Sequence, residues 1–256
     1  MSEKESQFNE NAPFDPEKEV TEKDWKQMDE MLRYSVWKDE PKLAADMVWR
    51  LDLLGRPVDP QLLDKYNARL TEKLRKMYEN PDRDKKENER RKAAGEIQMG
   101  LNPMEHTENT LDMKMLDRKF EPTKDDAERI RKELKDARDS GRFVDMFYGV
   151  AAEKISGIKQ LKMPELDKSD IENELKQHED PREWLRVASS LRILGFDTKS
   201  LQIPWGEIRK RWNDEYQDGY WKLMMLGDMA ILNADEVRVP EGGGLELVSK
   251  EKKSAE

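Results

Sequence analysis

The residues best suited to chemistry lie between Trp205 and Trp221. Arg209, Lys210 and Arg211 stand in a row there, among Trp205, Trp212, Tyr216, Tyr220 and Trp221. Cations beside aromatic rings can bind nucleic acid, the cations by neutralising phosphates and the rings by stacking on bases. A plainer reading competes. Trp205, Ile208, Trp212 and Tyr216 recur at helical spacing and define one buried stripe, which leaves the basic residues on a solvated face. Asp214, Glu215 and Asp218 offset their charge. The buried stripe is the preferred reading, with a protein contact next and nucleic acid last.

Other chemistry is sparse. The chain has two histidines, His106 and His178, and no cysteine. A thiolate metal site, a disulfide and a cysteine nucleophile are therefore excluded. The sequence Glu105-His106-Thr107-Glu108 reads as a solvated linker, and His178 as a residue near a helix C-terminus, where an imidazolium suits the dipole. With 56 acidic residues, carboxylate pairs must occur by chance, so none marks a site. Gly242-Gly243-Gly244 lacks the following Lys-Ser/Thr of a phosphate-binding loop, and no Gly-x-Ser-x-Gly elbow occurs. The expectation is no enzyme, no cofactor and no metal. An enzyme with an acidic site that no motif marks stays open.

Composition points to an extended or thin-cored protein. Charged residues reach 40% and hydrophobic residues only 36% of 256, low for a compact globule of this length. The 47 basic and 56 acidic residues give a net charge of −9, which argues against general phosphate-driven binding. The N-terminus lacks the apolar stretch of a signal peptide, and no run approaches the about 18 apolar residues of a membrane span. A cytoplasmic, non-membrane protein is expected.

The elements that must position any site are helices. Residues 1–20 are acidic and aperiodic and read as a disordered tail. Thr21 followed by acids starts a helix with Trp25, Met28, Leu32 and Val36 in line. Pro41 opens a second, with Leu43, Met47, Leu51 and Leu54, and Gly55 stops it. Asp59-Pro60 opens a third, which ends at Asn80-Pro81. These form an N-terminal helical lobe, 21–81. Residues 82–122 carry a charge run and then apolar residues without a sustained period. They read as a charged, Met-containing linker, or as a docking peptide around Met99, Leu101 and Met104, since methionine adapts to varied surfaces.

A second helical lobe spans 123–235. Its signals are the Thr123 cap, a long apolar helix from Phe143, a Ser169 capping box, and helices opened by Pro181 and Pro204. The last helix runs from about Tyr220 to Leu232. One unit recurs: an acid and proline open a helix that closes on Leu-Gly. Pro41 and Gly55 reappear as Pro181 and Gly195, both 140 residues on. This suits stacked helix–turn–helix repeats. Residues 237–248 alternate around a glycine turn as a short β-hairpin, and residues 249–256 read as disordered. The fold class is all-α, built of paired antiparallel helices in a repeat or an irregular bundle.

The function expected is a non-enzymatic interaction or scaffold protein with a protein partner. A nucleic-acid-associated accessory factor using 204–221 is the alternative. Trp37 and Trp49 fit their stripes least well, and an exposed tryptophan is a natural interface anchor. Trp49 is taken as a partner-binding candidate, with Met99, Leu101, Met104, Arg209, Lys210 and Arg211.

Overall fold

Threonine and acid-proline signals start the helices where the sequence places them. In a computed structural model of the full chain, the described residues are 12–56, 58–80, 83–95, 104–117, 119–141, 143–157, 180–198, 201–214, 218–240 and 244–248. After a short α1 (Pro16–Glu19), Thr21 opens α2 (Glu22–Lys38) with a capping box to Asp24. α3 (Pro41–Leu53) and α4 (Pro60–Glu79) both begin on proline, whose missing N–H costs nothing in the first turn. α5 (Arg83–Ala93) is almost wholly charged, and α6 (Glu105–Leu116) follows. Thr123 repeats the capping box for α7 (Lys124–Asp139), and α8 (Phe143–Ile155) is apolar. α9 (Pro181–Leu194) ends on Gly195 in the left-handed conformation. α10 (Trp205–Trp212) and α11 (Gly219–Asn233) complete eleven helices among the described residues.

The chain is mostly helical, as the composition and periodicity imply. Its only sheet among the described residues is the small C-terminal hairpin, β1 (Glu236–Arg238) against β2 (Glu246–Val248), with Val237 opposite Leu247. The hairpin survives because it is docked. Val237, Val239, Leu245 and Leu247 pack on Leu111, Ile155, Ile193 and Ile231, which supplies the burial an isolated hairpin lacks. Arg192 pins its start, donating from Nη2 to the Ala234 and Asp235 carbonyls at 3.0 Å each.

Two helices organise the rest. α6 packs on α3, α4, α7 and α8, and α11 packs on α2, α3 and α9. The contacts of α11 with α2 and α3 join the two ends of the chain, so the helices close into an irregular bundle rather than a one-way stack of repeats. The N- and C-terminal lobes share one core: Met28, Leu32, Ala44, Met47 and Leu74 lie in the same cluster as Trp212, Leu223, Met225 and Met229. Ser169, Ile171, Leu175 and His178, the expected helical segment before α9, lie outside the described residues.

Two expectations are corrected. The segment 82–122 does not read through as a linker, because residues 105–116 form α6. Eight of its twelve residues are buried, including His106, Leu111, Met113 and Leu116. A helix covered on several sides shows no single apolar stripe, so its pattern lacks the period that marks an amphipathic helix. The acidic tail is likewise ordered from Ala12 onward. Phe14, 2% exposed, packs 5.2 Å from the Trp212 ring, and Asp15 caps α1. A single large apolar side chain holds the segment down.

Candidate functional site

One of the sequence candidates caps a helix that the core uses. Met104 lies at the start of α6 and is buried among Ile130, Leu134 and Phe147. It is a packing residue, not an exposed docking one. Met99 and Leu101 lie outside the described residues. The basic cluster is also engaged within the chain. Arg209 is buried; its Nε donates to Glu19 Oε2 at 2.6 Å and its Nη2 to the Pro13 carbonyl at 2.9 Å. Arg211 pairs with Asp214 at 2.9 Å, and exposed Lys210 lies 3.8 Å from Glu207. Trp205, Ile208 and Trp212 are buried, as their shared stripe implies.

Trp49 is different. It belongs to α3 and lines a groove of about 560 Å³ between α3, α6 and the C-terminal hairpin. Val48, Trp49 and Leu53 form one side, Leu111 and Met115 a second, and Leu245 and Leu247 a third. Asp52, Lys114 and Glu246 supply the polar groups. The volume falls in the range of about 300–1,000 Å³ usual for ligand sites. None of the groove residues belongs to β1, so the hairpin meets it through β2. Among the described residues β2 pairs only with β1, which leaves its outer edge without a strand partner.

Behind the groove lies a belt of buried charge. Arg50, 2% exposed, bridges α3 to α11: its Nη1 donates to Asp228 Oδ1 at 3.1 Å and to the Met224 carbonyl at 3.0 Å. Ser189 on α9 donates to the same Asp228 oxygen at 2.9 Å, so three helices meet on one carboxylate. Tyr220 donates to Asp46, and the Arg186 guanidinium lies 3.8 Å from the centre of the Tyr148 ring. Lys42 lies 3.3 Å from Glu105 and 3.5 Å from Glu108. Burial alone would lower the Lys42 pKa, but the carboxylates of Glu108, Asp112 and Glu105 outweigh it and raise it.

Perturbed groups of this kind can mark an active site. The space beside them is small. The cavity bounded by Arg50, Tyr148, Arg186, Ser189 and Asp228 measures about 20 Å³. That is room for about one water molecule and none for a substrate. Among the described residues no group of three or more His, Asp or Glu is arranged to hold a metal ion, and no helix is long and apolar enough to cross a membrane.

The belt also explains how α6 starts. Met104, its N-cap, offers no side-chain oxygen. Glu133 of α7 substitutes, accepting the His106 and Thr107 N–H groups at 2.9 Å each and the Thr107 hydroxyl at 2.5 Å. His106 is buried against the Tyr78 ring at 5.1 Å, and burial lowers its pKa. It is a neutral core residue, not the solvated one its sequence context implies.

Asp112 gives the belt a measurable pH dependence. Burial raises its pKa well above the ordinary carboxylate value; Lys42 opposes this, while Asp46, Glu108 and Glu105 add to it. Tyr148 faces the same charge from α8. The folded state therefore holds its proton more tightly than the unfolded chain. Its contribution to stability is complete below the unfolded pKa of about 3.9 and is lost as pH rises through the folded value. Asp112→Asn removes that loss. The variant should gain stability over the wild type progressively as pH rises above about 4, read as the urea midpoint at each pH. A constant difference across the range would contradict this account of Asp112.

Some residues escaped sequence reasoning. Glu133 sits in a helix full of other charges and Arg50 beside Asp46 and Asp52, and only tertiary partners distinguish them. Trp37 carried a visible signal, its poor fit to the α2 stripe. It is 65% exposed, whereas Trp49 is half-buried in the groove. Comparisons with protein-family models, curated proteins and solved structures find no match to this chain.

Proposed function

We propose that this is a non-enzymatic interaction protein that binds an extended segment of a protein partner in the groove between α3, α6 and the hairpin. One observation carries the reading: a trough lined by Trp49, Leu111 and Met115 takes part of its wall from β2, which pairs only with β1 among the described residues. An added strand would take its affinity from main-chain hydrogen bonds to β2. It would take its specificity from alternate side chains set into the trough. Trp49 is the anchor, as a large ring in a partly covered pocket. The nucleic-acid reading has less support, since Arg209 and Arg211 are held by Glu19 and Asp214. The cysteine-free composition fits a cytoplasmic setting.

Affinity capture from the native host's lysate, with nuclease added, tests the reading against two variants. Trp49→Ala removes the anchor, and Leu247→Asp places a charge on the face of β2 that lines the groove. Each should reduce recovery of a bound protein at least about tenfold, the scale of one lost anchor contact. Thermal melts establish that the variants remain folded. Hydrogen exchange on the wild-type complex should show the amides of residues 245–248 slowed. A partner captured equally by both variants, or one leaving these amides unprotected, would refute the groove as the site.

A further inference from the structure

A second surface, independent of the groove, lies at the C-terminal end of α2. Three large apolar side chains among the described residues are exposed: Tyr34 at 44%, Trp37 at 65% and Trp221 at 37%. Trp221 has the Arg182 guanidinium over its ring at 4.3 Å. Tyr34 and Trp37 are neighbours, one helical turn apart, with ring centroids 6.2 Å from each other and tilted by 51°. Lys38 lays its ammonium 4.6 Å from the Trp37 ring and 5.8 Å from the Tyr34 ring. Two rings and a cation thus form one exposed group.

The charge around that group is not that of the whole protein. The chain carries −9 overall. At the end of α2, however, Arg69 and Lys73 reach across from α4 to the same Asp39 carboxylate, at 2.9 and 3.6 Å. Two cations therefore share one anion, and both suit the negative end of the α2 dipole. Lys38 adds a third positive charge, lying over rings rather than against a carboxylate. Arg33, one turn back, is matched by Asp29 at 2.7 Å and also faces Asp59, and exposed Glu40 is the next acid along the chain after Asp39. Lys38 thus sets a cation with no carboxylate partner among the described residues beside an exposed indole.

We infer that the Tyr34–Trp37–Lys38 face of α2 is a docking surface for an acidic peptide segment carrying an apolar side chain. The apolar side chain covers the Trp37 indole, which otherwise stays in water at a cost set by its exposed area. The acidic residues on either side meet Lys38 and the Arg69–Lys73 pair. Tryptophan beside a cation is the composition typical of an interface hot spot, and rim charges of this kind set selectivity and association rate. The surface does not depend on Trp49 or β2, so the groove can fail without it.

A random peptide display library panned on the full-length protein tests the inference, with Trp37→Ala and Lys38→Glu as counter-targets. The substituted side chains are exposed, so both variants should melt as the wild type does. The enriched pool should hold an apolar residue flanked by Asp or Glu. A synthetic peptide of that sequence should bind Trp37→Ala at least about tenfold more weakly by fluorescence anisotropy, and weaken further with added salt. Lys38→Glu should reduce binding in the same direction. No enrichment, a basic or uncharged consensus, or binding indifferent to Trp37 would each overturn the inference. So would a concentration-dependent dimer lost in Trp37→Ala, which would give the face to a second copy of the chain. Selective recovery of single-stranded nucleic acid by the wild type alone would overturn it too.

Discussion

Arg50→Ala should destabilise the protein by roughly 3–5 kcal/mol, the range found when one member of a buried ion pair is removed. The cost arises from what the substitution leaves behind. Asp228 is 4% exposed, and losing Arg50 leaves it a charge in the core held by the Ser189 hydroxyl at 2.9 Å. Arg50 Nη1 also satisfies the Met224 carbonyl at 3.0 Å, and Arg50 Nε lies 3.4 Å from Asp46. Gly227 makes room for the guanidinium, since a Cβ there would stand 2.7 Å from Arg50 Nη1. Natural domains are stable by about 5–15 kcal/mol, so this one change removes a large share. Arg50→Met combined with Asp228→Leu should cost far less than Arg50→Ala alone, because the buried Asp228 charge is removed with its partner while Asp46 keeps the Tyr220 hydroxyl. Urea unfolding of the three proteins decides the matter; a loss below about 1 kcal/mol for Arg50→Ala would mean that the pair is solvated. Arg50 also locks α3 to α11, and α3 carries the Trp49 side of the groove. Partner binding should therefore weaken in Arg50→Ala even where most molecules stay folded.

Gly219→Ala should cost about 3 kcal/mol, the upper end of the penalty for overpacking. The added Cβ would stand 2.2 Å from the Gln27 carbonyl oxygen and 2.8 Å from the Met28 nitrogen. Both are backbone atoms of α2, so no side-chain rotation relieves the collision, and the two helices must separate. Helix propensity pulls the other way, favouring alanine over glycine by up to about 1 kcal/mol. The net sign therefore shows which of the two effects is larger. Separation would also strain the Lys222–Asp24 pair, held at 2.5 Å between α11 and α2. A calorimetric melt of the variant should show the loss as a lower Tm. An unchanged or raised Tm would place α11 farther from α2 than described.

Both predictions concern contacts between distant parts of the chain, and they show where sequence reading stops. The helices were legible because their signals are local. Thr21 and Thr123 cap through the residue three positions on, prolines sit at the first helical position, and Gly195 closes α9. Trp205, Ile208 and Trp212 betrayed their burial by period alone. Trp37 was visible as a misfit on its stripe, although its exposure was not separable from that of Trp49. α6 was missed because it is enclosed by α3, α4, α7 and α8, and a helix covered on several sides has no polar face to create a period. The ordered segment around Phe14 was missed because one aromatic anchor in a polar tail leaves no pattern.

The sequence by itself determined a mostly helical chain, the ends of its capped and proline-opened helices, the small C-terminal hairpin and a surface rich in both charges. Those follow from backbone sterics, capping and the spacing of apolar residues, which act over a few positions. Only the tertiary structure decided that the two lobes share a core, that the Arg209 cation is spent on Glu19, and that Arg50 and Ser189 converge on Asp228. It alone opened a groove beside Trp49 and left Trp37 in water. Each of these depends on which helix faces which, and that choice is made by the summed burial of all the faces at once.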